Sequence, residues 1–132
     1  RAYELREPRS PLWAYLCESA LTTSPTLIDD RVYQQIPSEG LVSFDALPLD
    51  SPGGVVLWKA ADVTGVVLTR HRGRLVTWDA ESHTIGIVDE RLGALVSERQ
   101  MPQVEHLMAT SVDGGDLFAT GSDGRITRLV PR

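Results

Sequence analysis

A pattern of short apolar runs and polar turns returns in this chain at steps of 43 and 42 residues, from Arg31 to Arg74 to Asp116. The repeating stretches are residues 24–46, 66–90 and 108–132. In each, an apolar pair follows the aligned residue: Val32 and Tyr33, Leu75 and Val76, Leu117 and Phe118. A turn comes next, at Ser38-Glu39-Gly40, Glu81-Ser82-His83 and Ser122-Asp123-Gly124. Each turn opens a second alternating run: Leu41 to Phe44, Thr84 to Val88, Arg125 to Val130. A further element recurs outside these stretches. Pro11-Leu12-Trp13-Ala14 matches Val56-Leu57-Trp58-Lys59 45 residues later, and Gly93-Ala94-Leu95-Val96 takes the corresponding place after the second unit.

Runs of this length, closed by Gly, Asp and Ser, read as strands and hairpin turns. No stretch keeps apolar residues at helical spacing long enough to force a helix; the nearest, Leu12 to Leu21, is broken by Glu18 and Ser19. Continuous runs such as Val66-Val67-Leu68 suit strands covered on both faces. A four-stranded unit of about 40 to 45 residues is the signature of a β-propeller blade. The expected fold is therefore all-β, a β-propeller segment of about three four-stranded antiparallel blades. An outer strand is expected at 9–15, blades at 21–60 and 63–99, and an incomplete blade at 104–132. A plain sandwich or barrel is the competing architecture, but it needs no such period. Propellers have typically about four to eight blades, so the last blade should take its missing strand from elsewhere. The source is either a second copy, in a homodimer, or the remainder of a longer chain. The start at Arg1, without an initiator methionine or a signal segment, also reads as part of something larger.

The first unit, with Ser24-Pro25-Thr26-Leu27, Arg31-Val32-Tyr33, Gly40 to Asp45 and Leu57-Trp58, resembles the quinoprotein-like propeller repeat. The third, Ala119-Thr120-Gly121-Ser122-Asp123-Gly124-Arg125-Ile126, resembles a WD-type repeat. Trp78-Asp79 is a literal Trp-Asp dipeptide, but it sits in the second strand, whereas in the WD family it closes the third. The family's Gly-His pair is missing, so its hydrogen-bond network is not carried over. Quinoprotein-like enzymes set a stacking tryptophan, metal-binding carboxylates and a catalytic aspartate around the axis of a larger propeller. Trp13 and Trp58 instead hold outer-strand positions, where tryptophan packs between blades as a structural residue. The resemblance thus implies a scaffold without cofactor. Its alternative is the C-terminal part of a quinoprotein-like enzyme whose active site lies in sequence not present here.

Charge and residue counts narrow the function further. With 13 basic and 18 acidic residues the net charge is −5, which argues against a nucleic-acid binder with a broad basic face. No apolar run approaches the roughly 18 to 20 residues of a membrane span. The single cysteine, Cys17, rules out an internal disulfide and a cysteine-based zinc cluster, and beside Glu18 it reads as a packing residue. Unpaired, it leans slightly towards the cytoplasm and is compatible with the cell envelope as well. Quinoprotein-like relatives are often in the cell envelope and WD-type relatives often cytoplasmic. His71, His83 and His106 fall in three different places of the repeat and do not converge as metal ligands must. Arg70-His71-Arg72-Gly73-Arg74 could clamp a phosphate or an acidic segment, but reads first as a solvated hairpin. The acidic glycine turns at Asp113-Gly114-Gly115 and Ser122-Asp123-Gly124 read as hairpin closures, with too few carboxylates for calcium. Gly124 is expected to take a positive φ.

Loops on one rim carry function in such scaffolds. The turns at 37–40, 81–83 and 121–124 and the links at 15–22, 60–64 and 99–105 should share a rim. Its exposed candidates for a protein or peptide partner are Glu39, Asp62, His83, Arg99, Gln100, Gln103, Glu105 and Asp123.

Overall fold

Each aligned turn closes an antiparallel hairpin. The structure, a computed structural model, describes residues 20–46 and 55–129. The expected outer strand at 9–15, with Trp13, and also Cys17 lie outside the described residues. The first sheet runs in order through β1 (Thr26–Ile28), β2 (Arg31–Ile36), β3 (Gly40–Asp45) and β4 (Val55–Ala60). The second runs through β5 (Val66–His71), β6 (Arg74–Asp79), β7 (Thr84–Asp89) and β8 (Leu95–Gln100). The third has β9 (Val104–Ala109), β10 (Leu117–Gly121) and β11 (Ile126–Leu129). Every pairing within these sheets is antiparallel.

Local chemistry sets the turns. Arg72 and Gly73, both at positive φ (50° and 77°), form the tight turn between β5 and β6, a conformation that suits the twist of a two-residue hairpin. Asp79 and Asp89 end their strands by turning a carboxylate back on the chain. Asp79 Oδ1 accepts from the Glu81 and Ser82 amides at 3.0 and 3.4 Å, and Asp89 Oδ1 from those of Arg91 and Leu92 at 2.9 and 3.0 Å. Asp123 Oδ1 does the same for Arg125 at 3.0 Å, next to Gly124 at φ 80°.

Alternation along the strands gives each sheet two apolar faces, and the sheets stack through them. Ile28, Tyr33 and Leu41 from the first sheet meet Val67, Leu75 and Val88 from the second. Val76 and Trp78 on the other face of the second sheet meet Leu107, Leu117 and Ala119 of the third. Burying a side chain of this kind contributes about 1.5 to 3 kcal/mol, so these two seams dominate the cohesion of the segment. Ile36, Val42 and Phe44 form a third cluster on the face of the first sheet turned away from the second.

The innermost strands adjoin across the seams. The Thr26 hydroxyl donates to the Val67 carbonyl at 2.8 Å. The backbone of Arg70 pairs in parallel with Asp113, through Arg70 N to Val112 O at 2.9 Å and Gly114 N to Arg70 O at 2.7 Å.

One register differs from the sequence expectation. The match by apolar composition puts Leu95 opposite Trp58. In the structure, Trp58 pairs with Ser43 beside a bulge between Ser43 and Phe44, and Ser97 pairs with Ile87 beside a bulge between Ile87 and Val88. Ser97 therefore holds the register of Trp58, and Leu95 that of Val56. Leu57 and Val96 are the extra residues of equivalent bulges, and matching by apolar likeness shifts the comparison by two residues, a step that keeps each side chain on the same face of its strand.

Candidate functional site

Strand direction sorts the turns onto two rims. One rim carries the links between sheets, residues 61–65 and 101–103, with the turns at 37–39, 80–83 and 122–125. The other carries the hairpin turns at 29–30 and 72–73, the segment 110–116 and the turn at 90–94.

On this second rim a cleft of about 480 Å³ opens between the first two sheets. Its base is aromatic: Tyr33 is 2% exposed, and its ring centroid lies 5.9 Å from that of the half-buried Trp58. The Trp58 indole crosses the seam and donates Nε1–H to the Glu90 carbonyl at 2.8 Å. It lies over Gly93, where an added Cβ would stand 2.5 Å from the ring. Gly93 thus meets two demands at once, a close approach and a φ of 69°.

Charge collects around this base. Arg70 donates Nη2–H to Asp113 Oδ2 at 2.7 Å and to Asp29 Oδ2 at 2.9 Å, donates Nε–H to Asp113 Oδ1 at 3.2 Å, and lies 3.5 Å from Glu90 Oε2. One guanidinium therefore ties turns from all three sheets together. Hydrogen bonds to Asp113 and Asp29 raise the Arg70 pKa, and the same contact holds the Asp113 carboxyl below its ordinary range. Burial, assisted by the Glu90 carboxylate, pushes the Tyr33 phenol up to about 12. Arg31 and Arg91 also border the cleft, with Asp30 and Leu57.

The basic run at residues 70–74 is a hairpin with an exposed turn, Arg72, Gly73 and Arg74, as the sequence reading has it. Arg70 alone departs from that reading, because Asp29, Glu90 and Asp113 surround its guanidinium. The segment at Asp113-Gly114-Gly115 is likewise more than a hairpin closure. It reaches across the seam to β5, where Gly115 N donates to the buried Thr69 Oγ1 at 3.1 Å.

The residues singled out from sequence gather near the opposite rim, but not all as exposed loop groups. Asp62 and Gln103 lie on links and Asp123 on a turn, all three exposed. Arg99 and Gln100 are exposed residues of β8, and Glu105 an exposed residue of β9, not of a connection. Glu39 is half-buried and ion-paired with Lys59 at 2.5 Å. His83 is half-buried too, with Nδ1 2.5 Å from the Val104 carbonyl and its ring edge-on to Trp78. Both were expected to be exposed. Their turns fold back onto adjoining strands, which gives each side chain an internal partner. Asp79, beside them, is opposed by burial, yet the Thr64 and Ser82 side chains and two backbone amides lower its pKa. Among the described residues no helix is long and apolar enough to cross a membrane.

No protein-family model and no curated protein matches the chain. Among solved structures it is similar to BamB from Moraxella catarrhalis, with a TM-score of 0.59 and 20% identity over 91% of this chain. The fold is that of a β-propeller segment. The three sheets are its blades, and the chain spans 36% of the BamB chain.

Proposed function

We propose that this chain is a non-catalytic platform for protein interaction and assembly, built on propeller blades. The observation that carries the reading is the Arg70 network. Three carboxylates on the turns of this rim hold blades together through Arg70, Asp29 from the first, Glu90 from the second and Asp113 from the third. The Arg70 contact holds the Asp113 carboxyl below its ordinary range, which makes it a poor general acid or base. The link rim keeps a mixture of outward groups, Asp62, Arg99, Gln100, Gln103, Glu105 and Asp123, which suits a protein or peptide better than a polyanion.

Assembly enters through the third blade. Its outermost described strand, β11, exposes Ile126, Thr127 and Arg128, and a sheet edge is a template for another strand. In this reading a strand from a second copy, or from the remainder of a longer chain, completes the blade.

Site-specific photo-crosslinking tests both parts. A crosslinker at Gln103 or Glu105 is expected to capture one discrete protein, and one at Thr127 a second copy or the completing segment. Capture without preference for position would overturn the platform. A well-folded monomer in sedimentation, unchanged up to high concentration, would overturn closure by a second copy.

A further inference from the structure

We propose that the open edge of the third blade binds an extended segment of a separate protein as its fourth strand, seated by an aliphatic residue opposite Leu129. The proposal rests on the assembly reading above and gives the completing strand a register and a chemistry.

Backbone alternation fixes which groups are free. Gly121 N donates to the Arg125 carbonyl at 3.0 Å, and β10 and β11 keep one register from the Thr120–Ile126 pair to the Leu117–Leu129 pair. Bonded and non-bonded pairs alternate along an antiparallel ladder, so Thr127 and Leu129 are the residues that bond β10. Ile126 and Arg128 turn their N–H and C=O groups the other way, where no strand pairs with β11 among the described residues. Their side chains are exposed as well.

The two complete blades give the register of the missing strand. Val56 of β4 pairs with Phe44, and Leu95 of β8 pairs with Val88. Phe44 and Val88 lie opposite Val32 and Leu75, as Leu129 lies opposite Leu117. Each fourth strand thus sets an aliphatic residue against the place that Leu129 holds, followed by an aliphatic bulge residue, Leu57 or Val96.

Burial marks what that residue would cover. Leu41 and Ser43 of β3 have no exposure, and Leu95 packs against the cluster that holds Leu41. Ile85 and Ile87 take the same register on β7, yet both stay half-buried, because the third blade brings no fourth-strand residue over them. A groove of about 140 Å³ opens on this side of β11, lined in part by Met101, Val104, Ala119 and Leu129. An aliphatic side chain opposite Leu129 would fill it, while the main chain bonds Ile126 and Arg128. A second copy cannot give β4 or β8, which are already paired inside their own sheets, so the segment is assigned to a separate protein.

The test uses the full 132-residue chain and an acetylated, amidated peptide, Ala-Leu-Val-Ser-Glu-Arg-Gln, which copies residues 94–100 of β8. Calorimetry gives the affinity and amide hydrogen exchange the place. Bound peptide should protect the Ile126 and Arg128 amides and leave that of Thr127, already bonded to β10, unchanged. A peptide with Asp in place of its leucine should bind at least tenfold more weakly. So should one N-methylated at its serine and arginine, whose counterparts Ser97 and Arg99 pair with Ile87 and Ile85. Arg128→Pro removes a donor that β10 does not use, a change that edge strands tolerate, and should abolish binding at unchanged circular dichroism. Equal affinity for the leucine and Asp peptides, protection away from β11, or no binding at millimolar peptide overturns the proposal. Self-association in sedimentation that Arg128→Pro abolishes would give the edge to a second copy and overturn it too. If the crosslinks at Gln103 or Glu105 are still found when the peptide fails, the platform reading stands without this strand.

Discussion

Arg70 holds Asp113 twice, by a parallel backbone bridge from β5 to the segment 110–116 and by a two-point contact from guanidinium to carboxylate at 2.7 and 3.2 Å. Neither contact alone would fix one blade on the next. Together they set both the height and the rotation of the third blade against the second. Replacing Arg70 by Met keeps the aliphatic stem and the backbone bridge but removes every charge contact. Because Asp29 and Asp113 are more than half exposed, solvent screens much of the loss, and only a small drop in stability is expected. Urea titrations of both proteins at low and high salt check this, and the difference should shrink with salt.

Trp58 carries the other seam. Trp58→Phe keeps an aromatic ring beside Tyr33 but loses the hydrogen bond to Glu90 and part of the ring area over Gly93, so about 1 to 3 kcal/mol is expected. Trp58→Ala should cost about 3 to 5 kcal/mol. Gly93→Ala should come close to the larger figure, because the methyl group would enter the space of the indole at a strained φ. Thermal unfolding of the three variants gives the order, and a harmless Gly93→Ala would refute this geometry.

Ser43 lies behind that ring with no exposure, and its hydroxyl has no hydrogen-bond partner among the described residues. A buried hydroxyl of this kind costs free energy. Ser43→Ala is expected to stabilise the chain by about 1 kcal/mol, read as a higher denaturant midpoint at constant slope.

Tyr33 predicts alkaline sensitivity. Its folded pKa of about 12 lies above the ordinary 10.0. Between these values the unfolded chain gives up its proton first, so stability is complete below pH 10 and falls as pH rises towards 12. Tyr33→Phe should remove this slope. Denaturation at pH 9 and at pH 11 makes the comparison.

Thr69 accepts the Gly115 amide inside the second seam. Thr69→Val preserves shape but strands a buried donor, and a loss of about 1 to 3 kcal/mol is expected. Thr69→Ser, which keeps the oxygen, should recover most of it.

The hairpins were legible because their causes are local. Strand alternation and the Gly, Asp and Ser turns lie within a few residues of one another, and the 43-residue step from Arg31 to Arg74 locates the second strand of successive blades. The cleft was not legible, since it exists only where blades meet. Asp29, Arg70 and Asp113 come from three separate blades, and a dense basic run around Arg70 signals charge density rather than its partners. One signal was present. Arg70 and Asp113 are 43 residues apart, one repeat, the separation at which neighbouring blades bring corresponding turns together. The exposed set on the link rim failed in part for a related reason, because His83 and Glu39 bond back to elements that a turn motif does not reveal.

The seams also differ in kind, because Ser97 stands in the register of Trp58. The first two blades are joined by an aromatic wedge whose cost of separation is paid in apolar area. The second and third have no such wedge over their outer strands; they are joined by the apolar cluster of Trp78, Leu107 and Leu117 and by polar bridges at the inner strands. Under mild denaturant the segment should therefore not open evenly. The third blade forms the less protected foldon, its β9 to β11 amides exchanging with solvent ahead of those in β5 to β7, while the first pair of blades exchanges as one cooperative block.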